Sequence, residues 1–533
     1  GDLVISSGWA AALGRPALAG TLIGGFDLRL SASEPLDDPP APPASALRGS
    51  VLDVELFELY GLGALGREGA WPNGEVGLAA ATTSCNPGDV PVPWTFGSFN
   101  QLIPDHPFIG LALFRESADG ILEMIGTNWI KHGFFTVDGN DCILAPSDTC
   151  YPGGGNTLGL GCADTYGINN NGSRVYLGPR EEVHPLEAVW EPYGSFFDAT
   201  PVDTLRNYWG SETSETAHRL VVQDADLADS NLVYKYEGVY YVKDDDDLSN
   251  NIGWEGVRIA WDPSMIRYIF TDDTPGNEMD NDGPVIATWG DQQAEHPVAA
   301  DDGTVWLASQ VTDLGGGQWH YEYAVYNRTS ARGLRSFAVP TGFANVTNVG
   351  FHDPDADPLN DWTSSVAAGG ITWETDEWAV DPAANSLDYQ EMFNFRFDAD
   401  APPVASQAMA GIFRPGTGSS LLMPTQSPAF GSVSSPSVGA TGGSFGLAAE
   451  PNPFRGTTRV AFQLERERSV RVSVLDVTGR AVRTLHDGRA PAGRSVIAWD
   501  GRDAAGNRTA AGIYFFRLES ETESRTLKGT LLR

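Results

Sequence analysis

The sequence predicts a mainly β, multidomain protein, in which a β-sandwich or jelly-roll body precedes a small terminal β-sandwich. Three observations support this prediction. The 533 residues are too many for one hydrophobic core, which favours two to four domains. The 61 glycines and 35 prolines are typical of a loop-rich β protein. Short runs in which apolar and polar residues alternate recur along the chain, separated by turn residues.

Residues 1–214 are predicted to form a β-rich, loop-rich domain. Residues 3–6, 21–30 and 51–59 have strand patterns, and a proline-rich loop lies at residues 35–43. The first of these strands is expected to pack within its own chain. The alternative is that it adds to the sheet edge of a neighbouring molecule. The chain begins Gly1-Asp2 without methionine, as a chain does after removal of a signal peptide or after trimming.

Four cysteines lie in this region, within 78 residues: Cys85, Cys142, Cys150 and Cys162. An even, clustered set in an exported chain predicts two disulfides. The preferred pairing is Cys142 with Cys150 as a local clip and Cys85 with Cys162 as a longer closure. A zinc site is the alternative, although no Cys-x-x-Cys spacing is present.

Residues 215–415 are predicted to form a second β-sandwich. Strand patterns occur at 220–223, 232–242, 256–261 and 305–311, and the clearest is at 318–327. In the last run Trp319, Tyr321, Tyr323 and Val325 share one face, and His320, Glu322 and Ala324 share the other. Residues 416–444 are rich in Gly, Ser, Pro and Thr and predict a flexible linker.

Residues 445–533 are predicted to form the terminal sandwich, with strands at 458–464, 470–476 and 512–518 separated by glycine-containing turns. They contain Pro451-Asn452-Pro453-Phe454, then Val474-Leu475-Asp476-Val477-Thr478-Gly479-Arg480, then Trp499-Asp500-Gly501-Arg502-Asp503. This order resembles the immunoglobulin-like (Ig-like) module related to the flagellar hook-cap protein, which also marks C-terminal sorting modules of secreted bacterial proteins. The resemblance covers about a sixth of the chain and implies an Ig-like fold, export and surface attachment.

The net charge of −36 is unevenly distributed. Residues 445–533 hold 15 basic and 10 acidic residues, a net charge of +5, whereas the other 444 hold 19 and 60, a net charge of −41. Such a body should repel nucleic acid and anionic lipid and attract divalent cations or basic partners. The alternative is that the charge serves only solubility or adaptation to salt. No apolar run is long enough to cross a membrane as a helix.

Three acidic loops are candidates for calcium binding, because calcium takes six to eight oxygen ligands. The alternative is that they are solvated loops. The first loop places acids at alternate positions, and the second lies between residues 272 and 282. The third is Asp244 to Asp247, followed by Ser249, Asn250 and Asn251. The predicted ligands are Asp353, Asp355, Asp357, Asn360 and Asp361 in the first loop, and Asp272, Asp280 and Asp282 in the second.

Two weaker catalytic or metal patterns are present. His106, His184 and His296 each precede proline, and with His132 they could converge on copper or zinc. Glu374 and Glu377 form an acid pair between two tryptophans, as a retaining glycosidase requires. The spacing of the histidines matches neither His-Glu-x-x-His nor His-x-His.

The sequence therefore favours a secreted cell-surface structural or adhesive protein, including a self-assembling filament or surface-layer subunit. The expected partners are other copies of the chain or components of the cell surface. A secreted polysaccharide hydrolase and a calcium-dependent carbohydrate-binding protein are the alternatives.

Overall fold

A computed structural model describes residues 51–97, 101–140, 142, 149–198, 205–210, 212–273, 281–299, 301–342, 344–355, 357–367, 369–428, 445–450, 452, 454–464, 466–476, 480–491, 493–520 and 523–532. All of them lie in one compact unit, Pro42–Arg533. The predictions for residues 1–50 and for Asp280 lie outside the described residues.

The first half of the body contains sixteen strands among the described residues. These are β1 (Glu55–Glu68), β2 (Glu75–Cys85), β3 (Val92–Pro93), β4 (Phe108–Glu116), β5 (Leu122–Thr127), β6 (Ile130–His132), β7 (Thr157–Leu158), β8 (Ala163–Tyr166), β9 (Leu177–Gly178), β10 (Val183–His184), β11 (Val189–Trp190), β12 (Leu220–Gln223), β13 (Tyr234–Tyr241), β14 (Ile252–Asp262), β15 (Arg267–Asp272) and β16 (Asn281–Asp282).

The second half of the body and the terminal module supply the remaining described strands. These are β17 (Gln292–Ala299), β18 (Asp302–Gly315), β19 (Gln318–Asn327), β20 (Leu334–Gly342), β21 (Val346–His352), β22 (Thr363–Ala367), β23 (Gly369–Glu374), β24 (Glu391–Ala399), β25 (Val404–Ile412), β26 (Ser420–Ser427), β27 (Phe445–Glu450), β28 (Phe454–Arg455), β29 (Thr458–Leu464), β30 (Arg468–Leu475), β31 (Ala481–Ala490), β32 (Gly493–Trp499), β33 (Gly512–Glu519) and β34 (Ser524–Leu532).

Helical structure is limited in the described ranges to one short helix and three 3₁₀ turns. The helix is α1 (Ile168–Asn171), and the turns are Arg174–Tyr176, Arg180–Glu182 and Val285–Thr288. None of these elements is long and apolar enough to cross a membrane. The predicted mainly β fold class is confirmed.

The body is built from four large sheets. Sheet A contains β1, β2, β8 and β12, and sheet B contains β4–β6, β9 and β13–β16. Sheet C has the order β17-β18-β19-β24-β21, and sheet D has the order β22-β23-β20-β25-β26. Two small pairs, β3 with β7 and β10 with β11, lie in the loop-rich part.

The four sheets stack in the order A, B, C, D, with an apolar core between each neighbouring pair. Leu78 of sheet A packs with Leu113 and Tyr236 of sheet B. The other face of sheet B, including Phe114, packs against Tyr326 of sheet C. Because sheets B and C are covered on both faces, their strands are apolar on both sides, as in the continuous run of β4.

Sheets C and D enclose the largest aromatic core. Tyr321, Tyr323 and Val325 of β19 point into it together with Trp373 of β23, whereas Ala324 faces sheet B. The alternation predicted for residues 318–327 therefore matches the two faces of this strand.

Strands on both sides of residue 214, where the sequence predicts a boundary, pair within the same sheets. Val222 of β12 pairs with Val76 of β2, and Gly238 of β13 pairs with Leu111 of β4. Residues before and after this position therefore share one core. Strand β26 lies inside the predicted linker because Leu421, Leu422 and Met423 pair with β25, so the chain leaves the body later than predicted. The remaining linker residues 429–444 lie outside the described part.

The two disulfides are present, but their pairing corrects the preferred one. Cys85 is bonded to Cys142, and Cys150 is bonded to Cys162. The predicted pairing chose the two cysteines closest in sequence and took no account of how the surrounding strands pair. Bridges between Gly139 and Ala163 and between Tyr151 and Leu160 set the register that brings each bonded pair together. With all four sulfurs in disulfides, the zinc alternative does not hold.

The terminal module is a sandwich of two sheets, β27-β29-β32 and β28-β34-β33-β30-β31. Trp499 is fully buried at its centre, and its ring lies 5.6 Å from that of Phe454 and 5.1 Å from that of Tyr514. The predicted strand at residues 458–464 coincides with β29.

Candidate functional site

An acidic cleft of about 710 Å³ opens beside sheets A, B and C and contains most of the first predicted calcium loop. Strands β2, β5, β12 and β24 and the loop after β21 form its walls. The described residues that line it include no Lys or Arg. They are Glu75, Ile125, Thr127, Val221, Gln223, Asp353, Pro354, Asp355, Asp357, Asn360, Asn385, Glu391 and Phe393.

Asp353 is the deepest carboxylate of the loop and is only 4% exposed. Its Oδ2 accepts a hydrogen bond from Asn385 Nδ2 at 2.7 Å. Burial, followed by the charge of Asp355, raises the pKa of Asp353 to about 7. Burial also raises the pKa of Glu391 to about 8. The cleft therefore holds two carboxyl groups whose negative charge would be stabilised by binding a proton or a cation.

The loop holds its outer acids by its own hydrogen bonds. Asp355 Oδ1 accepts from the Asp357 N–H at 2.7 Å, and Asp355 Oδ2 accepts from Asn360 Nδ2 at 2.8 Å. The other amide atom, Asn360 Oδ1, is enclosed without a hydrogen-bond partner. Asp361, the last predicted ligand of the loop, does not line the cleft, and burial and the charge of Asp355 raise its pKa.

The structure brings together Asp353, Asp355, Asp357 and Asn360, as the sequence predicts. Within the described ranges, however, no three His, Cys, Asp or Glu side chains are close enough to hold a metal ion. Calcium binding at this loop stays a prediction. Glu75 and Glu391 could not be predicted as part of this cleft, because they reach it from distant strands and carry no local signal.

The two described ligands of the second predicted loop, Asp272 and Asp282, do not share one site. Asp272 pairs with Val257 and Asp282 pairs with Gly253, on the same edge of β14. Four residues of strand separate those positions, which places the two backbones roughly 13 Å apart, too far to share one ion.

Asp282 instead belongs to a corner with part of the third loop. Burial raises the pKa of Glu55 to about 7, and the charges of Asp53 and Asp282 add to this effect. Asp245 has its pKa raised to about 7 by burial, and its Oδ2 accepts a hydrogen bond from Asn251 Nδ2 at 2.9 Å. Nothing in the sequence indicates that Glu55 of β1 and Asp53, two residues before it, join this corner.

Two of the four candidate histidines converge. His106 Nε2 lies 2.9 Å from His132 Nδ1, and both rings are buried among aromatic side chains. Burial lowers the pKa of His106 to about 3. His184 lies at another pocket, and His296 is on the edge strand β17. The four therefore do not form the metal site considered from the sequence.

Glu374 and Glu377 do not form an aromatic-lined acid pair. Both contact Arg335, at 3.9 Å and 3.0 Å, on the protein surface. Trp373 is fully buried in the core between sheets C and D. Its ring cannot stack on a sugar, and the half-buried Trp378 ring packs against Phe413 at 5.3 Å and against Arg414 at 5.6 Å. Neither tryptophan is an open platform beside the two acids, so this pair gives no support to a glycosidase.

Residues 449–524 match the family described as the FlgD Ig-like domain. This result confirms the resemblance drawn from the motifs of the terminal module. The match covers only that module, and the comparison with curated proteins finds no match for the chain.

Comparison with solved structures gives weak likenesses. The chain aligns with dimeric latent PorU from Porphyromonas gingivalis at 11% identity and a TM-score of 0.17, over 91% of this chain and 34% of PorU. It aligns with the major pilin RrgB from Streptococcus pneumoniae at 10% identity and a TM-score of 0.18, over 59% of this chain and 55% of RrgB. The chain thus spans about a third of the PorU chain, and such low TM-scores carry no argument about function.

Proposed function

We propose that the chain is an extracellular structural or adhesive component of a cell surface, attached through its terminal module. The observation that carries this proposal is the FlgD Ig-like domain at residues 449–524, joined to a much larger body of stacked sheets. The two disulfides support it, because disulfides persist mainly in oxidising compartments outside the cytosol.

Removal of the module tests the attachment. The full chain and a chain ending at Pro428 are expressed in the native host, and each is probed by protease treatment of intact cells. We expect the full chain on the surface, and the shortened chain inside the cell or in the medium. Arg508→Ala, at an exposed position of the module, is the control and should behave as the wild type. Equal surface display of the shortened chain would contradict the proposal.

We further propose that copies associate head to tail, as a filament or surface layer requires. The support is charge, since a module of net charge +5 would contact bodies of net charge −41. Light scattering of purified protein should then show assemblies at low salt that dissociate above about 0.3 M, where screening is strong. Monomers at every ionic strength would exclude this mode of assembly.

A second candidate function is calcium-dependent binding in the acidic cleft, favoured by the buried Asp353 and the lack of basic lining residues among those described. Calcium at saturating concentration should raise the melting temperature by several degrees. Asp353→Asn combined with Asp355→Asn should remove this shift, and Asp119→Asn at an exposed turn should retain it. If calcium left the melting temperature of the wild type unchanged, this second candidate function would be excluded.

A further inference from the structure

Two hairpin tips in the first half of the body present an exposed aromatic platform. Trp71 lies in the turn between β1 and β2, and Trp261 lies near the end of β14. Their rings are stacked with an interplanar angle of 2° and a centroid separation of 5.6 Å. Trp71 remains 41% exposed, which leaves part of its ring open to solvent.

The platform is held rigidly from beneath. The Arg67 guanidinium carbon lies 4.9 Å from the centroid of Trp261, a cation–π contact. Arg67 is fixed by two hydrogen bonds to Asp224, whose carboxylate also accepts from Tyr268 Oη at 2.7 Å and from the Gly74 N–H at 2.9 Å. A surface fixed in this way loses little conformational entropy when it binds a ligand.

The turn between β14 and β15 carries two more exposed apolar side chains. Met265 is 52% exposed and Ile266 is 75% exposed. Ile266 has a φ of 53°, a left-handed conformation that is costly for a β-branched residue. The chain thus keeps a large apolar side chain in solvent at a position where glycine would be less strained. Exposed Asn73 supplies amide donors and an acceptor at the same tips, and Ser264 Oγ, which donates to Asp262 Oδ1 at 2.6 Å, supplies an acceptor.

We propose that these tips, defined by Trp71, Trp261, Met265 and Ile266, bind a neutral polysaccharide. A pyranose ring has an apolar face that covers one indole ring, and its hydroxyl groups can bond to Asn73 and Ser264. The patch of one open ring and two aliphatic side chains is small for a stable protein interface, which buries at least about 1,000 Å². The net charge of −36 opposes anionic polymers and anionic membranes. A neutral glycan is the occupant that satisfies these conditions.

This inference adds a ligand class to the proposed surface role, and it relies on that role only for where the glycan is encountered. Its test uses the purified full chain, so it can fail while surface display is confirmed, and the reverse also holds. The protein is sedimented with insoluble cellulose, chitin, xylan and β-1,3-glucan, and the corresponding hexasaccharides are titrated by calorimetry. Alginate serves as the anionic probe.

We expect retention on at least one neutral polysaccharide and none on alginate. Trp71→Ala should weaken that binding at least tenfold. Trp71→Phe should lose less affinity than Trp71→Ala because it keeps an aromatic ring. Trp209→Ala is the matched control, since Trp209 is 45% exposed and also stacks against an arginine, Arg206. Circular dichroism checks that each variant is folded.

Three results would overturn the inference. These are no retention on any of the four neutral polymers, equal affinity of Trp71→Ala and the wild type, and equal loss of affinity in Trp209→Ala. Association of the wild type with apolar peptides or with vesicles of neutral phosphatidylcholine, in place of the glycans, would assign the patch to a different occupant.

Discussion

Arg180 and Tyr389 exchange hydrogen bonds across 209 residues of sequence. Arg180 Nη1 donates to the Tyr389 carbonyl oxygen at 2.7 Å, and Tyr389 Oη donates to the Arg180 carbonyl oxygen at 3.0 Å. The guanidinium also donates through Nε to the Asn128 carbonyl oxygen at 2.7 Å and through Nη2 to Thr127 Oγ1. One buried arginine thus ties the end of β5 to the residue two positions before β24.

Replacement of Arg180 should destabilise the body strongly. Arg180→Met keeps the volume but leaves two buried carbonyl groups without donors, so we expect a loss of about 3 kcal/mol in the free energy of unfolding. Arg258→Ala breaks an exposed ion pair with Asp273 and should cost less than about 0.5 kcal/mol. Urea unfolding measures both variants, and equal losses would refute the role given to Arg180.

A buried carboxyl at the contact between sheets B and C predicts a pH dependence. Glu237 of β13 is fully buried and accepts hydrogen bonds from Tyr326 Oη at 2.7 Å and from the Val285 N–H at 2.8 Å. Burial raises its pKa from 4.5 to about 7. The folded state therefore keeps this proton at pH values where the unfolded chain has lost it. Stability should fall as the pH rises from 4.5 through 7, by about 3 kcal/mol for this group.

Glu237→Gln should remove this part of the pH dependence, because an amide does not ionise. The difference in unfolding free energy between wild type and variant should move in favour of the variant as the pH rises from 5 to 8.5. Glu187→Gln, at an exposed position, serves as the control. Parallel pH profiles for wild type and Glu237→Gln would show that the proton is not held there.

A second pH dependence of stability, in the same direction, is expected from His320 of β19 in sheet C. Its Nδ1 lies 2.6 Å from Asp398 Oδ1, and its Nε2 lies 3.4 Å from Glu322 Oε2. Glu322 and then Asp398 raise the pKa of His320 against the opposing effect of burial. The stabilisation is complete below pH 6.5 and is lost as the pH rises through the higher folded pKa. His320→Gln should cost about 1–2 kcal/mol at pH 6 and less at pH 9 by urea unfolding. A cost that does not change with pH would argue against a charged histidine.

The disulfide pairing can be read directly by mass spectrometry of a non-reduced digest, which should yield peptides linking Cys85 to Cys142 and Cys150 to Cys162. These bonds span 57 and 12 residues of sequence. Loss of the first bond in Cys85→Ala with Cys142→Ala should cost about 4 kcal/mol, and loss of the second about 3 kcal/mol, from chain entropy alone. Peptides that link Cys142 to Cys150 would restore the pairing preferred from the sequence.

The sequence predicts strands well where one face is buried and the other is not. Residues 220–223 and 512–518 are such cases, because the alternating burial of β12 and β33 follows their period of two. The four-layer stack could not be predicted from the sequence. Sheets B and C are covered on both faces, and the hydrophobic pattern of a strand does not indicate which sheet covers it. Long-range pairings, such as β4 with β13, follow from the whole arrangement.

The candidate sites divide in the same way. Asp353, Asp355 and Asp357 are close in sequence, so their proximity in the cleft was predictable. Glu75 and Glu391 reach the same cleft only through the stacking of sheets. Trp71 and Trp261 were not singled out, because their 190-residue separation hides a contact made by two hairpin tips.

The terminal module supplies the last prediction, which concerns the Pro-Asn-Pro-Phe motif. The Asn452 side chain lies along β34, where its Nδ2 donates to the Lys528 carbonyl oxygen at 2.7 Å and its Oδ1 accepts from the Thr530 N–H at 2.8 Å. The amide thus replaces a neighbouring strand over two backbone groups, next to the two-residue parallel pairing of β28 with β34. Asn452→Ala removes both bonds, and we expect a loss of about 1–2 kcal/mol in the stability of the module.

Hydrogen exchange of the full chain should locate that loss. In Asn452→Ala the Thr530 amide should exchange at least tenfold faster than in the wild type, while amides of the body stay unchanged. Thr526→Ala, on the same strand at an exposed position, is the control and should leave Thr530 protected. Asn452→Asp keeps the acceptor for the Thr530 N–H but loses the donor to Lys528, so its protection should lie between those of wild type and Asn452→Ala. Equal exchange at Thr530 in all four proteins would show that Asn452 does not close this strand edge.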